Sequence, residues 1–316
     1  MIKKAGHILL FLLGVFLLFL FTAEGDAGFP RQIIDDFGQK VIISKKPERI
    51  VSLAPANTEI LFAIGAGSKL VGVTTYCDFP PEAKEIDKIG GYTTPDIETI
   101  VAKNPDLVFA AYGNGEENIE KLRELGIAVV SLYPRSLEDV LKDIVMVGQA
   151  TGFEDKAEGL VLNLRKRIKV VEEKSRKIPQ EKRPWILWIM WYPELWTAGT
   201  GTFFDELVKI AGGRNVAFDL QGWKVISKET VLMRDPDIIV CSQMGTTGEL
   251  LLEKMKGDPE FKKMQVIKEG QIYVIEQDLL ELPGPRIVEG LERIDEYITD
   301  FWKEGTKNDQ NKRCDR

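Results

Sequence analysis

The chain has 316 residues, 44% hydrophobic and 29% charged, with a formal net charge of −7. That length allows two domains of ordinary size, each with its own core, and the acidic balance argues against nucleic acid as a partner. The single histidine is His7, so the rest of the chain has no imidazole for Ser/His hydrolysis or for His-based zinc or haem ligation.

Lys3 and Lys4 precede an unbroken apolar run from Ile8 to Phe21, and small or polar residues follow from Thr22 to Gly28. This is the layout of a secretory signal peptide over residues 1–28, since the run falls short of the roughly 20 residues a helix needs to span a bilayer. Cleavage is expected; an uncleaved segment would instead anchor the chain. In either case the protein is expected to be exported, to the periplasm or the outer face of the cytoplasmic membrane. No Cys follows the run, which argues against a lipoprotein anchor. Cys77, Cys241 and Cys314 are widely spaced and odd in number, giving neither a disulfide framework nor a CxxC metal spacing.

Arg31 to Ile34 and Val41 to Ser44 flank a turn containing Gly38 and predict a β-hairpin. A buried strand follows at Arg49 to Leu53. Apolar runs and helical patterns then alternate: Thr58 to Ile64 helical, Leu70 to Val73 strand, Ile97 to Ala102 helical, Leu107 to Ala111 strand, Ile119 to Leu125 helical, Val129 to Leu132 strand. From Phe153 to Lys177, Leu160, Leu164, Ile168 and Val171 recur at helical spacing in a charge-rich stretch, predicting one long helix. A second series comprises Trp185 to Trp191 strand, Phe203 to Ala211 helix, Ile238 to Cys241 strand, Ile272 to Ile275 strand and a closing helix from Arg286 to Trp302. The fold class this βαβ rhythm predicts is α/β: two Rossmann-like lobes with parallel sheets, residues 29–152 and 179–302, joined by one long interdomain helix over 153–178. Residues 303–316 are read as a polar, disordered tail.

The two series share a segment. Asp96-Ile-Glu-Thr-Ile-Val-Ala-Lys-Asn-Pro-Asp-Leu-Val matches Ser227-Lys-Glu-Thr-Val-Leu-Met-Arg-Asp-Pro-Asp-Ile-Ile, with Asp96 and Ser227 as N-caps of short helices that Pro-Asp turns convert into strands. Ligands of open parallel sheets bind beyond the carboxyl ends of the strands, so the cleft between the lobes is the expected site.

Aromatic residues cluster at or just after predicted strand ends: Tyr76, Tyr92, Tyr112, Trp191, Tyr192, Trp196 and Trp223. They offer flat contact area with a polar edge. Trp185 and Trp188 lie inside an apolar strand and are read as core; Trp191, Trp196 and Trp223 are read as facing the cleft. A loop tyrosine is as readily a plain surface residue. Glu98 and Glu229 sit in the first turns of their helices, where the dipole favours a carboxylate regardless of function. Their equivalent placement opens a second reading, docking onto a two-fold symmetric membrane partner with basic residues. The Ala198-Gly-Thr-Gly-Thr-Phe-Phe segment lacks the endings of phosphate loops and is read as a tight turn into a helix. No nucleophile elbow or paired carboxylates at catalytic spacing stand out.

The run Arg49-Ile-Val-Ser-Leu-Ala-Pro-Ala-Asn-Thr-Glu-Ile-Leu-Phe-Ala-Ile-Gly, with Val71-Gly-Val-Thr-Thr-Tyr-Cys-Asp-Phe-Pro-Pro-Glu-Ala and Pro105-Asp-Leu-Val, resembles the cobalamin-binding periplasmic proteins, within the helical-backbone solute-binding proteins that also carry ferric siderophores and haem. The likeness extends from about Lys46 to Ile298. It implies a non-catalytic, exported binding protein of an ABC importer, with a corrinoid as transported ligand and no cofactor or metal of its own. The implied partner is a permease dimer with its ATPase subunits, and the chain is expected to be a monomer. By position, Tyr76 matches a tyrosine that contacts the corrin, Tyr92 and Trp223 stand where the family has cleft tryptophans, and Asp278, Leu279, Leu280, Glu281 and Leu282 fall on a ligand-contacting loop. Glu98 and Glu229 match two glutamates that dock onto permease arginines. The chain departs from the pattern in having Ala111 or Tyr112 at a cleft tryptophan position, and Leu279 and Leu280 in place of bulkier aromatic and charged neighbours. A ferric siderophore or haem is the alternative ligand, and an exported carboxylate-dependent hydrolase is the alternative from another class.

Overall fold

In the computed structural model, which describes residues 28–242 and 249–314, the last of these from 304 onward as backbone alone, the chain opens on an antiparallel hairpin of β1 (Arg31–Ile34) and β2 (Lys40–Ile43). The expected export segment lies outside the described residues, save Gly28. In the hairpin turn Gly38 adopts a φ of 77°, and Asp35 accepts hydrogen bonds from the amides of Phe37 and Gln39.

The first sheet comprises β3 (Ile50–Ser52), β4 (Leu70–Val73), β5 (Leu107–Ala111) and β6 (Val129–Leu132). Interleaved with them are α1 (Pro55–Ala63), α2 (Ile97–Ala102) and α3 (Glu116–Glu124). All pairings are parallel, in the order β4-β3-β5-β6. Every residue of β3 and β6 is buried, as befits strands covered on both faces. Two helices follow, α4 (Leu137–Thr151) and α5 (Glu154–Ser175), separated by Gly152 in the left-handed region at φ 75°. They pack so closely that a Cβ on Gly148 would come within 2.4 Å of the Ala157 Cβ.

The second half holds β7 (Trp185–Ile189), β8 (Leu195–Ala198), α6 (Phe203–Ala211), β9 (Arg214–Asn215), β10 (Trp223–Ile226), α7 (Lys228–Arg234) and β11 (Ile238–Cys241). After the undescribed residues 243–248 come α8 (Glu249–Gly257), α9 (Gln265–Lys268), β12 (Ile272–Val274), α10 (Asp278–Glu281) and α11 (Ile287–Cys314). Its parallel sheet has the order β9-β7-β11-β12. Counted from the first strand of each sheet, both run second, first, third, fourth. The shared segment is thus one instance of a repeated topology. The Asp96 side chain accepts from the Thr99 amide and that of Ser227 from the Thr230 amide, the expected N-caps. Asn104 and Asp235, each before the shared proline, are the non-glycine residues with positive φ among the described residues, 48° and 43°. Asp106 then accepts from the Arg49 amide at the start of β3, and Asp237 from the Trp185 amide at the start of β7.

The structure differs from the expectation in several elements. The long helix is preceded by α4, which the sequence reading passed over. The strand expected to reach Trp191 stops at Ile189, and β8 returns to pair antiparallel with β10, placing Trp196 opposite Val225. The closing helix continues through Cys314 rather than ending at Trp302, because polarity alone does not break a helix and no proline interrupts Lys303 to Cys314. One buried cluster runs from Ile50 and Phe109 of the first sheet through Ile144, Val161 and Leu164 of α4 and α5 to Trp188, Phe204 and Leu291 of the second half. The lobes therefore share a core along the helical spine.

Candidate functional site

The carboxyl ends of the first sheet open onto a cleft of ≈ 830 Å³ that reaches across to the second lobe. Pro55 and Asn57 line it after β3, Tyr76 after β4, Tyr112 after β5 and Tyr133, Pro134 and Arg135 after β6. Tyr92, Thr93 and, from α4, Asp143 complete this wall; Thr202, Phe203, Trp223, Glu281 and Leu282 form the opposite one. A second hollow of ≈ 400 Å³ adjoins it, lined by Met190, Trp191, Trp196 and Gln277, with Trp223 and Glu281 common to both. The same offset that carries Asp96 to Ser227 carries Tyr92 to Trp223. The repeat therefore places one aromatic side chain in the cleft from each lobe.

Trp223, Tyr92, Tyr112 and Tyr133 are held from behind. Trp223 meets the core Trp188 edge-on at 5.2 Å between centroids, and the Trp188 indole N–H donates to Ser242 Oγ at 2.6 Å. The Tyr92 ring lies over Gly113, where a Cβ would come within 2.3 Å of it, and burial raises the Tyr92 phenol above its ordinary pKa. Buried Asn114 donates to the carbonyls of Leu53 (2.8 Å) and Tyr92 (2.7 Å) and accepts from the Ala111 amide at 2.6 Å. One side chain thereby fixes three segments of the wall. Tyr112 and Tyr133 stack at 4.5 Å, and Phe37 of the hairpin turn lies parallel to both.

Of the residues expected at the site from sequence, Tyr76, Tyr92, Tyr112, Trp223, Glu281 and Leu282 come together in the main cleft, and Trp191 and Trp196 in the adjoining hollow. Tyr192 turns away and donates its hydroxyl to Asp258 at 2.8 Å. Leu279 and Leu280 are corrected: both are buried in the core, because α11 presses against α10 so tightly that a Cβ on Gly290 would meet the Leu279 carbonyl oxygen at 1.8 Å. Asp278 lines neither hollow and instead stands 3.6 Å from Arg286. That arginine of the second lobe donates twice to buried Glu59 of α1, pairs with Glu276 and stacks 3.9 Å over Phe79. It ties the lobes together beside the cleft. Glu98 and Glu229 are exposed at the first turns of α2 and α7, outside both hollows.

Tyr133, Arg135 and Asp143 were not anticipated. Tyr133 follows β6 as Tyr112 follows β5, so the rule that found one would have found the other. Asp143 carries a subtler mark, falling three residues after Val140 and four before Val147 on the apolar stripe of α4. It is 1% exposed, no N–H donor reaches its carboxyl oxygens, and burial followed by the adjacent Asp36 carboxyl pushes it up to about 8. Burial likewise raises Glu281, despite a hydrogen bond from Gln277.

A family model described as periplasmic binding protein matches residues 50–279. An uncharacterized ABC transporter substrate-binding lipoprotein of Bacillus subtilis is 33% identical over 282 residues, covering 87% of this chain and 88% of that protein. The periplasmic vitamin B12-binding protein of Vibrio cholerae superposes with a TM-score of 0.71 at 25% identity, over 82% of this chain and 99% of its own. A periplasmic haem-binding protein of Roseiflexus sp. RS-1 superposes with a TM-score of 0.70 at 28% identity, over 80% of this chain and 98% of its own.

Proposed function

The chain belongs to the periplasmic binding protein family, whose members include ABC-importer substrate-binding proteins, and on that premise we propose that it captures cobalamin or a related corrinoid in the interlobe cleft and delivers it to the importer's permease. The observation that carries the reading is the cleft itself: ≈ 830 Å³, walled by Tyr76, Tyr92 and Tyr112 from one lobe and Trp223 from the other. Flat rings with polar edges on facing walls suit a large, partly planar ligand gripped on two sides. The residues 1–28 pattern supports export, so capture takes place outside the cytoplasm. The ligand is bound without turnover and released to the permease unchanged.

Haem or a ferric siderophore is the second reading, favoured by four cleft phenols, Tyr76, Tyr92, Tyr112 and Tyr133, that offer hard oxygen ligands to iron. Gel filtration of the purified protein mixed with cyanocobalamin, haemin or a ferric siderophore separates the two. Corrin absorbance is expected to co-elute with the protein and to be recovered chemically intact; retention of haemin or the ferric chelate alone would overturn the corrinoid assignment.

A further inference from the structure

Resting on the cleft as a corrinoid site, we propose that Asp143, together with Asp36, is a specificity-determining pair that accepts an uncharged, carboxamide-fringed ligand and turns away one fringed with carboxylates. Asp143 lines the first-lobe wall from the buried face of α4, and its carboxyl oxygens meet no N–H donor, only the Asp36 carboxyl. A buried polar group with no donor to satisfy it is costly, and on a cleft wall a ligand can supply what is missing. Asp36 of the hairpin turn is exposed and lines neither hollow; it stands against Asp143, held by a 2.5 Å hydrogen bond from the Tyr133 amide.

No cation among the described residues is shown bonding to the pair. On α4 itself Asp139 adds negative charge, and Lys142 pairs with Asp139 at 3.0 Å. Asp35 of the hairpin pairs with Arg123 at 3.0 Å. From the second lobe Glu206 accepts the Leu137 amide at the start of α4, and Arg135 lies 5.9 Å over the Tyr133 ring. The charged residues that line the main cleft are Arg135, Asp143 and Glu281, one cation against two carboxyls.

With Asp143 raised to about 8 by burial and then by Asp36, the two carboxyls hold one proton between them near neutral pH. A ligand group that opens this acid–acid hydrogen bond meets one O–H donor, free lone pairs and a residual negative charge. A carboxamide satisfies this from both ends, giving its C=O to the O–H and its N–H to the lone pairs. A carboxylate has only lone pairs and meets like charge, least screened at the buried Asp143. The rim of a corrinoid carries carboxamides, whereas haem carries two propionates and many siderophores carry carboxylates.

Binding of cyanocobalamin and of haemin, followed by tryptophan fluorescence at about pH 6.5 and about pH 9.5, tests this on wild type, Asp143→Asn and Asp36→Asn. For wild type, cyanocobalamin affinity is expected to fall on the order of tenfold at the higher pH, as the shared proton leaves. Asp143→Asn is expected to remove that fall, and Asp36→Asn to strengthen haemin binding. The wild-type profile needs no variant to be informative. Cyanocobalamin binding that is flat with pH, or a fall that persists in Asp143→Asn, overturns the inference and leaves the proposed function standing. Tighter binding of haemin than of cyanocobalamin by wild type, or binding of neither, overturns both.

Discussion

A carboxyl group buried beside another carboxyl and no cation makes the folded state prefer its protonated form, and for Asp143 this has a measurable sign. Its folded pKa of about 8 exceeds the ordinary aspartate value of 3.8. The folded state therefore holds a proton that the unfolded chain releases above pH 4. The associated stability is present in full below about pH 4 and is lost progressively as the pH rises to about 8. Asp143→Asn, whose amide can donate to Asp36, is expected to stabilise the ligand-free protein at pH 8.5 by about 2 kcal/mol and to have little effect at pH 4. Thermal melts at the two pH values check it; a variant less stable than wild type at pH 8.5 would remove the argument for a strained carboxyl. At this scale the aromatic residues were legible because a strand end followed by Tyr or Trp is a local pattern. Asp143 was not, because its meaning depends on α4 being recognised first.

Elements were legible where one periodicity ran uninterrupted. β4, α2, β5, β6, α6 and β11 lie where the residue pattern puts them, since each is a short apolar or amphipathic run closed by Gly, Pro or a cap. The β8–β10 ribbon escaped notice because its two strands are far apart in sequence and half exposed, so neither gives a continuous apolar signal. Leu279 and Leu280 were misplaced because a family position says where a loop lies and not which of its side chains the core claims. Asn114 shows what holds the first-lobe wall together, joining the ends of β3 and β5 to the Tyr92 segment. Asn114→Ala is expected to cost about 2–3 kcal/mol, since two buried carbonyls and one amide lose their partner. It is also expected to weaken ligand binding beyond that global loss, as Tyr92 and Tyr112 lose their anchor. A denaturant titration with a parallel ligand titration tests both; an affinity unchanged in a destabilised variant would show that the wall is held by packing alone.

On the scale of the whole molecule, a repeated sheet order, a shared core along α4, α5 and α11, and the Glu59–Arg286 pair hold the two lobes in one arrangement. On the proposed function, such a protein would meet its permease through a fixed surface more than through closure. Glu98 and Glu229 fit such a surface: each is exposed, follows its own N-cap, and lies the same short distance in sequence beyond a cleft aromatic, Tyr92 or Trp223. Its own backbone N–H and Ser227 hold the Glu229 carboxyl below the usual range, so it is ionised at neutral pH. Neither is needed for the fold, since solvated carboxylates away from buried networks contribute within about 0.5 kcal/mol. The double variant Glu98→Ala, Glu229→Ala is therefore expected to melt and to bind ligand like wild type, yet to reduce importer-dependent uptake at least roughly tenfold, with Glu98→Lys, Glu229→Lys more severe through repulsion from basic residues. Each single change is expected to fall between wild type and the double, because two separate contacts orient one rigid body on a symmetric partner. Uptake unaffected in the double variant would detach these glutamates from delivery and leave the helix dipole as their only explanation.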